Sequence, residues 1–379
     1  MGRTNTRARK LIAKLTTTMK TLTLTAGPIP AKLDSVKLIT NKFKGGLALK
    51  TAIALSADFK VTVILHESTQ AALPEHIETV RVSDVTHYCE VLQRIQSDTF
   101  VLAGAVANLM PLNPWKGKFP SHNYKVGDVF NIPFTIAPRA IDHIRQWHPN
   151  ATLIAYKLFD GSEHELIEAG LETIQGSKAH TVFCNHPAWA KERKIAITQD
   201  GSTIPMSFDE HINWIKRTAN LEWYRTTVTK NHTPLQPDRT WVELLEQLTV
   251  KCGHYRFGTI ALRTLTGFIT TARGKESNKE FVHVKSVDHH KKRVTSENGK
   301  PTLNAPTLDA IFSNIADANV ILHGHRQLPS TKTHAYKFPG TTEEVSVATA
   351  PEFNIEHHGF YKTFRNMHEA KQWVLESKQ

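Results

Sequence analysis

The chain is poor in cysteine: Cys89, Cys184 and Cys252 are the only three in 379 residues, and no two form a CxxC pair. That spacing excludes a zinc ribbon and a disulfide scaffold, and fits a reducing, cytoplasmic setting. No apolar run approaches the ~20 residues a membrane-spanning helix needs, so no membrane association is expected. Acidic residues are missing from the first segment, which carries Arg3, Arg7, Arg9, Lys10, Lys14 and Lys20. An acid-free start of this kind reads either as a transit peptide or as a disordered extension ahead of Met19. The dinucleotide fingerprint GxGxxG, internal repeats and low-complexity tracts are also absent.

What remains is a globular composition, with 40% hydrophobic and 22% charged residues. The length favours two domains over one core. The formal charge of +12 leaves two readings open. One is an anionic ligand such as a nucleotide or a phosphorylated substrate. The other is a basic tail with ordinary surface lysines. The run His289-His-Lys-Lys-Arg293 has no interleaved aromatics and belongs to no nucleic-acid module, so nucleic acid is not an expected partner.

After the tail, strand-like and helical patterns alternate. Strands are expected at Thr21–Ala26, Lys60–Leu65, Thr99–Val106, Ala151–Leu158 and His180–Cys184, with helices near Gly46–Ala57, Val85–Gln96, Ala140–Trp147 and Ser162–Ile174. This alternation predicts an α/β fold with a Rossmann-like, mainly parallel sheet and flanking helices. Asp200-Gly201 predicts the turn of a hairpin between Lys194–Thr198 and Ser202–Pro205, with a helix from about Asp209. The polar, proline-containing segment Lys230–Asp238 marks a boundary, followed by a helix over Trp241–Val250. The expected organisation is a tail over 1–20, a nucleotide-binding domain over 21–229, a linker over 230–240 and a second, smaller α/β domain over 241–379.

Asn41-Lys-Phe-Lys-Gly-Gly46 opens the first helix. Glycines there let backbone N–H groups approach a phosphate, and the helix dipole favours an anion. The wider string, Gly27-Pro28, then Asp34-x-Val36-Lys37-x-Ile39-x-Asn41, then Gly45-Gly46, resembles the opening of phosphopantothenoylcysteine synthetases. Ala103-Gly-Ala-Val-Ala-Asn108 with Lys118, Ala155-Tyr-Lys157 and Cys184-Asn185 resemble later blocks of that family. The resemblance implies a ligase of coenzyme A biosynthesis that joins 4'-phosphopantothenate and cysteine through an acyl-nucleotide. CTP or ATP would be the co-substrate, with Mg2+, and the enzyme would be a homodimer. It assigns catalysis to Asn41 and Lys118, and nucleotide or substrate binding to Gly27, Gly45, Gly46, Gly104, Asn108, Tyr156 and Lys157. Two departures stand out: Asn108 replaces the family's aspartate, and Glu165, Glu168 and Glu172 occupy a helix that is usually more basic.

In the second domain, His323-Gly-His325 follows a strand-like run. Histidines at i and i+2 point to one face, as a shared metal requires. Phe257-Gly258-Thr-Ile-Ala-Leu-Arg263, Gly267-Phe-Ile-Thr-Thr-Ala-Arg-Gly274 and His357-His358-Gly359 resemble blocks of the class II aldolase/adducin family. By that resemblance His323, His325 and His358 would hold a divalent metal, usually Zn2+. The family's general acid/base glutamate is expected nineteen residues before the first histidine, where this chain has Asn304. The alternative function is therefore a metal-dependent aldolase-like enzyme or a metal-binding assembly protein whose first domain binds a nucleotide.

Overall fold

The computed structural model describes residues 19–231, 235–252 and 254–377. Residues 1–18 of the basic tail and 232–234 of the expected linker lie outside the described residues. The chain divides into two compact units. The first runs to Tyr156 and takes in Gly176–His180 and Ser207–Ala219. The second comprises Lys157–Gln175, Thr181–Met206 and Asn220–Gln379.

In the first unit, strand Thr21–Thr25 runs parallel to Lys60–His66 on one side and to Thr99–Leu102 on the other. Glu78–Val82 extends the sheet beyond Lys60–His66, and Thr152–Leu158 extends it beyond Thr99–Leu102, both parallel. Leu22, Thr23, Leu24 and Thr25 are all buried, so both faces of the central strand are covered. This is the burial expected of a parallel sheet sandwiched by helices. Helix Val85–Arg94 is capped by Asp84, which accepts from the backbone N–H groups of Thr86 and His87. Helix Ala140–Trp147 has the bounds expected from the sequence.

Two details depart from the sequence expectation. Strand Thr99–Leu102 stops short of Val106, because Gly104 N donates to Thr25 Oγ1 at 2.9 Å and turns the chain away. Ala105–Val106 pairs instead with Pro28–Ile29. Glu78–Val82 carries no strand-like run of apolar residues, since only Val82 of its five residues is buried.

The second unit contains the antiparallel pair Thr181–Asn185 and Arg193–Thr198, with Asp200-Gly201 leading towards Thr203–Ser207. Its main feature is a nine-stranded sheet, in the order Arg225–Thr229, Arg293–Glu297, Phe281–Asp288, Phe268–Thr271, Thr259–Arg263, Val320–Gly324, Gly359–Phe364, Glu352–Ile355 and Thr333–His334. Alternation decides which face each side chain covers. Ala261, Ile321 and Tyr361 pack with Leu308 and Ile311 of helix Ala305–Asn314. Ile260, Leu262, Val320, Leu322 and Phe360 pack with Leu244 and Leu248 of helix Arg239–Leu248 and with Ala370 and Val374 of helix Met367–Glu376.

Near the sheet edge, Glu297 gathers charge. Its carboxylate accepts from Asn231 Nδ2 at 3.1 Å and lies 3.2 Å from both His283 Nδ1 and Lys285 Nζ. The Asn231 and His283 hydrogen bonds, with Lys285, hold its pKa at about 2, below the usual 4.5. A carboxylate depressed in the folded state adds stability above its unfolded pKa and loses it as pH falls through the folded value. Glu297→Gln should therefore lower the urea midpoint at neutral pH, and the gap to wild type should shrink between pH 4.5 and about 2. A gap that is constant across that range would show that the charge contributes nothing.

Candidate functional site

The C-terminal ends of parallel strands share one sheet edge, where α/β folds place their ligands. Gly27 follows Thr21–Thr25 at that edge and adopts a positive φ of 74°. Gly45, with φ 79°, caps helix Gly46–Leu55 without any side-chain hydrogen bond. A Cβ built on Gly45 would lie 2.3 Å from Gly27 N, so only glycine allows the two backbones to meet. A Cβ on Gly46 would meet no atom within 4 Å. The first helical turn has no acidic residue, so its N–H groups present an uncompensated positive end.

Asn41 ties this corner together. Its Nδ2 donates to Ala105 O at 2.9 Å and to Val106 O at 3.1 Å. Ala105 N in turn donates to Gly27 O at 2.9 Å. Gly27, Asn41, Gly45 and Gly104 are thereby brought into one group of loops. Asn41 does not cap the helix that follows; Gly45 takes that position.

Lys118 is exposed on a loop anchored elsewhere, on the Asp34 turn. Gly117 O accepts from Ser35 N at 3.1 Å, and Phe119 N donates to Asp34 Oδ2 at 3.0 Å. Burial would raise the Asp34 pKa, but the N–H groups of Phe119, Val36 and Lys37 hold it well below the usual carboxylate range. The Asp34 carboxylate is therefore held anionic by the turn, while Lys118 is exposed to solvent. Asn108 is exposed, with its backbone O accepting from Ala137 N at 2.9 Å. Tyr156 directs its hydroxyl at His211 Nε2 in a short hydrogen bond, and burial raises its pKa. The division between the units falls between Tyr156 and Lys157.

The second unit assembles the three histidines named from the sequence. One ligand atom from each of His323, His325 and His358 falls in a group spanning 4.8 Å. His323 sits opposite Tyr361 in the strand register and stacks on its ring, with centroids 4.4 Å apart. Its Nδ1 pairs with Phe360 O at 2.8 Å, while its Nε2 is buried with no hydrogen-bond partner. Burial holds His323 and His358 well below the usual imidazole pKa, so both are neutral, as metal ligation requires. An orphaned buried nitrogen and a set of neutral imidazoles fit a divalent ion.

Around the histidines lie Asn304 and two carboxylates that the sequence did not single out as site residues. Glu344 is fully buried and accepts from Tyr361 OH at 2.6 Å, Thr307 Oγ1 at 2.8 Å and Gly340 N at 3.0 Å. Burial pushes its pKa up to about 7, against the lowering effect of those bonds. Asn304 donates to Glu344 Oε1 at 3.0 Å and to Tyr361 OH, and lies 3.2 Å from His358 Nε2. Asp200, read from the sequence only as a turn residue, places Oδ2 3.5 Å from His358 Nε2. No local pattern marks Asp200 or Glu344, because both reach the histidines through tertiary folding.

The Asn41 bridge can be tested directly. Asn41→Asp replaces the donating amide with a carboxylate that faces two carbonyl oxygens. It should cost about 1–3 kcal/mol of stability in urea unfolding. A variant as stable as wild type would mean that the bridge does not hold the glycine loops together.

A family model described as the DNA/pantothenate metabolism flavoprotein C-terminal domain matches residues 17–216. A search of curated proteins gives no significant match. Among solved structures, the chain is similar to the DNA/pantothenate metabolism flavoprotein from Streptococcus pneumoniae, at 18% identity and a TM-score of 0.46, covering 52% of this chain and 97% of that one. It is also similar to a Cab2 variant in complex with phosphopantothenate-cysteine, at 13% identity and a TM-score of 0.46, covering 55% and 89%. The C-terminal part is similar to l-fuculose-1-phosphate aldolase from Thermus thermophilus, at 14% identity and a TM-score of 0.26, covering 37% and 92%. With more than half of its length matched by one family model, the chain belongs to the DNA/pantothenate metabolism flavoprotein C-terminal domain family.

Proposed function

We propose that the chain is a ligase of coenzyme A biosynthesis that joins 4'-phosphopantothenate to the amino group of cysteine. The observation that carries this reading is the family match over 17–216, which spans the glycine corner at the sheet edge. A carboxylate is a poor electrophile until one of its oxygens becomes a leaving group. In the first step it attacks the α-phosphate of CTP or ATP, giving an acyl-nucleotide and releasing pyrophosphate. The cysteine amine then attacks the acyl carbon and displaces the nucleoside monophosphate, forming the amide.

Both steps concentrate negative charge. The N–H groups at Gly45 and Gly46 and the helix dipole suit a phosphate, and Mg2+ would arrive with the triphosphate. Gly27, Gly104, Asn108, Tyr156 and Lys157 are assigned to nucleotide or substrate binding. Lys118 is assigned to the activated intermediate, where a cation brought in by its loop stabilises the developing charge. Asn41 spends its Nδ2 on the loop carbonyls, so its Oδ1 is the atom assigned to the pantothenoyl amide. A homodimer is part of this reading.

The decisive assay supplies 4'-phosphopantothenate, cysteine and Mg2+ with CTP or ATP in parallel. Release of CMP or AMP should depend on cysteine, and the better substrate identifies the nucleotide. Lys118→Ala should lower kcat by roughly a hundredfold while leaving the melting temperature unchanged. Absence of turnover with both nucleotides would overturn the reading.

The histidine cluster supports a second reading for the C-terminal part: His323, His325 and His358 bind one divalent metal, Zn2+ being the natural choice for nitrogen ligands. Aldolase chemistry is not part of it, because an amide at Asn304 cannot shuttle the proton that a glutamate would. The purified protein should contain about one equivalent of zinc, lost in His323→Ala; a metal-free wild type after growth with zinc would refute this.

A further inference from the structure

We propose that Asp34 is a positioning residue of the ligation: one oxygen of its carboxylate builds the local turn, and the other holds the loop that presents Lys118. This rests on the ligase reading, in which Lys118 meets the activated intermediate, and adds to it the group that sets where that lysine starts.

The two oxygens have separate partners. Oδ1 accepts from Val36 N at 2.7 Å and from Lys37 N at 2.6 Å, both within the turn itself. Oδ2 accepts from Phe119 N at 3.0 Å, 85 residues along the chain, and from Lys37 Nζ at 3.0 Å. A carboxylate offers about two lone pairs on each oxygen, so both oxygens are fully taken. Asp34 is also 3% exposed. It has no acceptor left for a substrate proton, so its part in the reaction is to hold and not to react.

The loop is tied at alternate residues. Trp115 N donates to Leu33 O at 3.0 Å, Gly117 O accepts from Ser35 N at 3.1 Å, and Phe119 N reaches Asp34 Oδ2. Lys116 and Lys118 lie between the tied residues and are exposed. Both chain neighbours of Lys118 are thus bonded to the Asp34 turn, while its own side chain is left to solvent. The turn is closed on itself, with Lys37 O accepting from Leu33 N at 3.0 Å and from Asp34 N at 3.2 Å. Lys37 braces the junction from outside. Its ammonium is 3.0 Å from Asp34 Oδ2 and 5.8 Å from the centroid of the Phe119 ring, a cation–π distance. The Phe119 ring stacks in turn on Tyr124, with centroids 5.4 Å apart, and meets Trp115 and Phe130 edge-on. Such seating matters because a misplacement of about 1 Å at a reacting centre costs on the order of a hundredfold in rate.

A double-mutant cycle with Lys118, run on the full chain in the ligase assay, tests this. Asp34→Asn keeps an oxygen for the Val36 and Lys37 N–H groups but sets an amide donor against Phe119 N–H and the Lys37 ammonium. It should lower kcat by about tenfold or more, with KM for the nucleotide and for 4'-phosphopantothenate within about twofold of wild type. In a Lys118→Ala background the same substitution should lower kcat no further, because the lysine it positions is gone. A purely structural role would lower kcat by the same factor in both backgrounds, and that result overturns the proposal. Wild-type kcat in a folded Asp34→Asn overturns it equally. Should Asp34→Asn fail to fold, Lys37→Met decides, since it removes only the half-exposed ammonium at Oδ2. A severalfold fall in kcat confined to protein that retains Lys118 supports the proposal; an equal fall in both backgrounds, or none, overturns it. Wild type without turnover on CTP or ATP overturns the ligase reading itself, and the role of Asp34 with it.

Discussion

The close approach of Gly27 and Gly45 is the contact on which the ligand-facing corner of the first unit depends. Two backbones meet where a single methyl group would collide with the opposite chain. The approach brings the helix that starts at Gly46 up to the end of the central strand, and Asn41 then pins the neighbouring loop by its two carbonyls. Positive charge at this corner comes from oriented peptide dipoles as well as from the exposed Lys42 and Lys44. The lysine assigned to the reacting centre is instead placed on a separate loop, anchored by the anionic Asp34.

Much of this was legible in the residues alone. The buried strand Lys60–His66 and the amphipathic helix Ala140–Trp147 announce themselves by composition and period, and the hairpin around Asp200 by its turn dipeptide. Glu78–Val82 stayed hidden because four of its five side chains are not buried, so it shows no strand-like apolar pattern. The HxH spacing exposed two histidines, His323 near the end of strand Val320–Gly324 and His325 just past it, and the family resemblance added the third. Glu344 and Asp200 could not be read this way. Their positions beside the histidines come from where the fold delivers them, and a glutamate in a short helix or an aspartate in a turn carries no local mark of that.

In the second unit, the buried polar groups around the three histidines form one connected network. Asn304 sits at the centre of it. It donates to Glu344 and Tyr361, and so joins a buried network that includes the His358 ring. Each of these amide and hydroxyl groups fixes the position of its neighbour.

The two compact units are interleaved along the chain, since residues 157–175 and 181–206 belong to the second while 176–180 and 207–219 belong to the first. No single cut in the gene therefore yields both units whole. A fragment beginning after Asn220 would lack the Asp200 turn, and one ending there would carry that turn without the sheet that surrounds it. Each unit is thus completed by residues that a cut near Asn220 would leave on the other fragment.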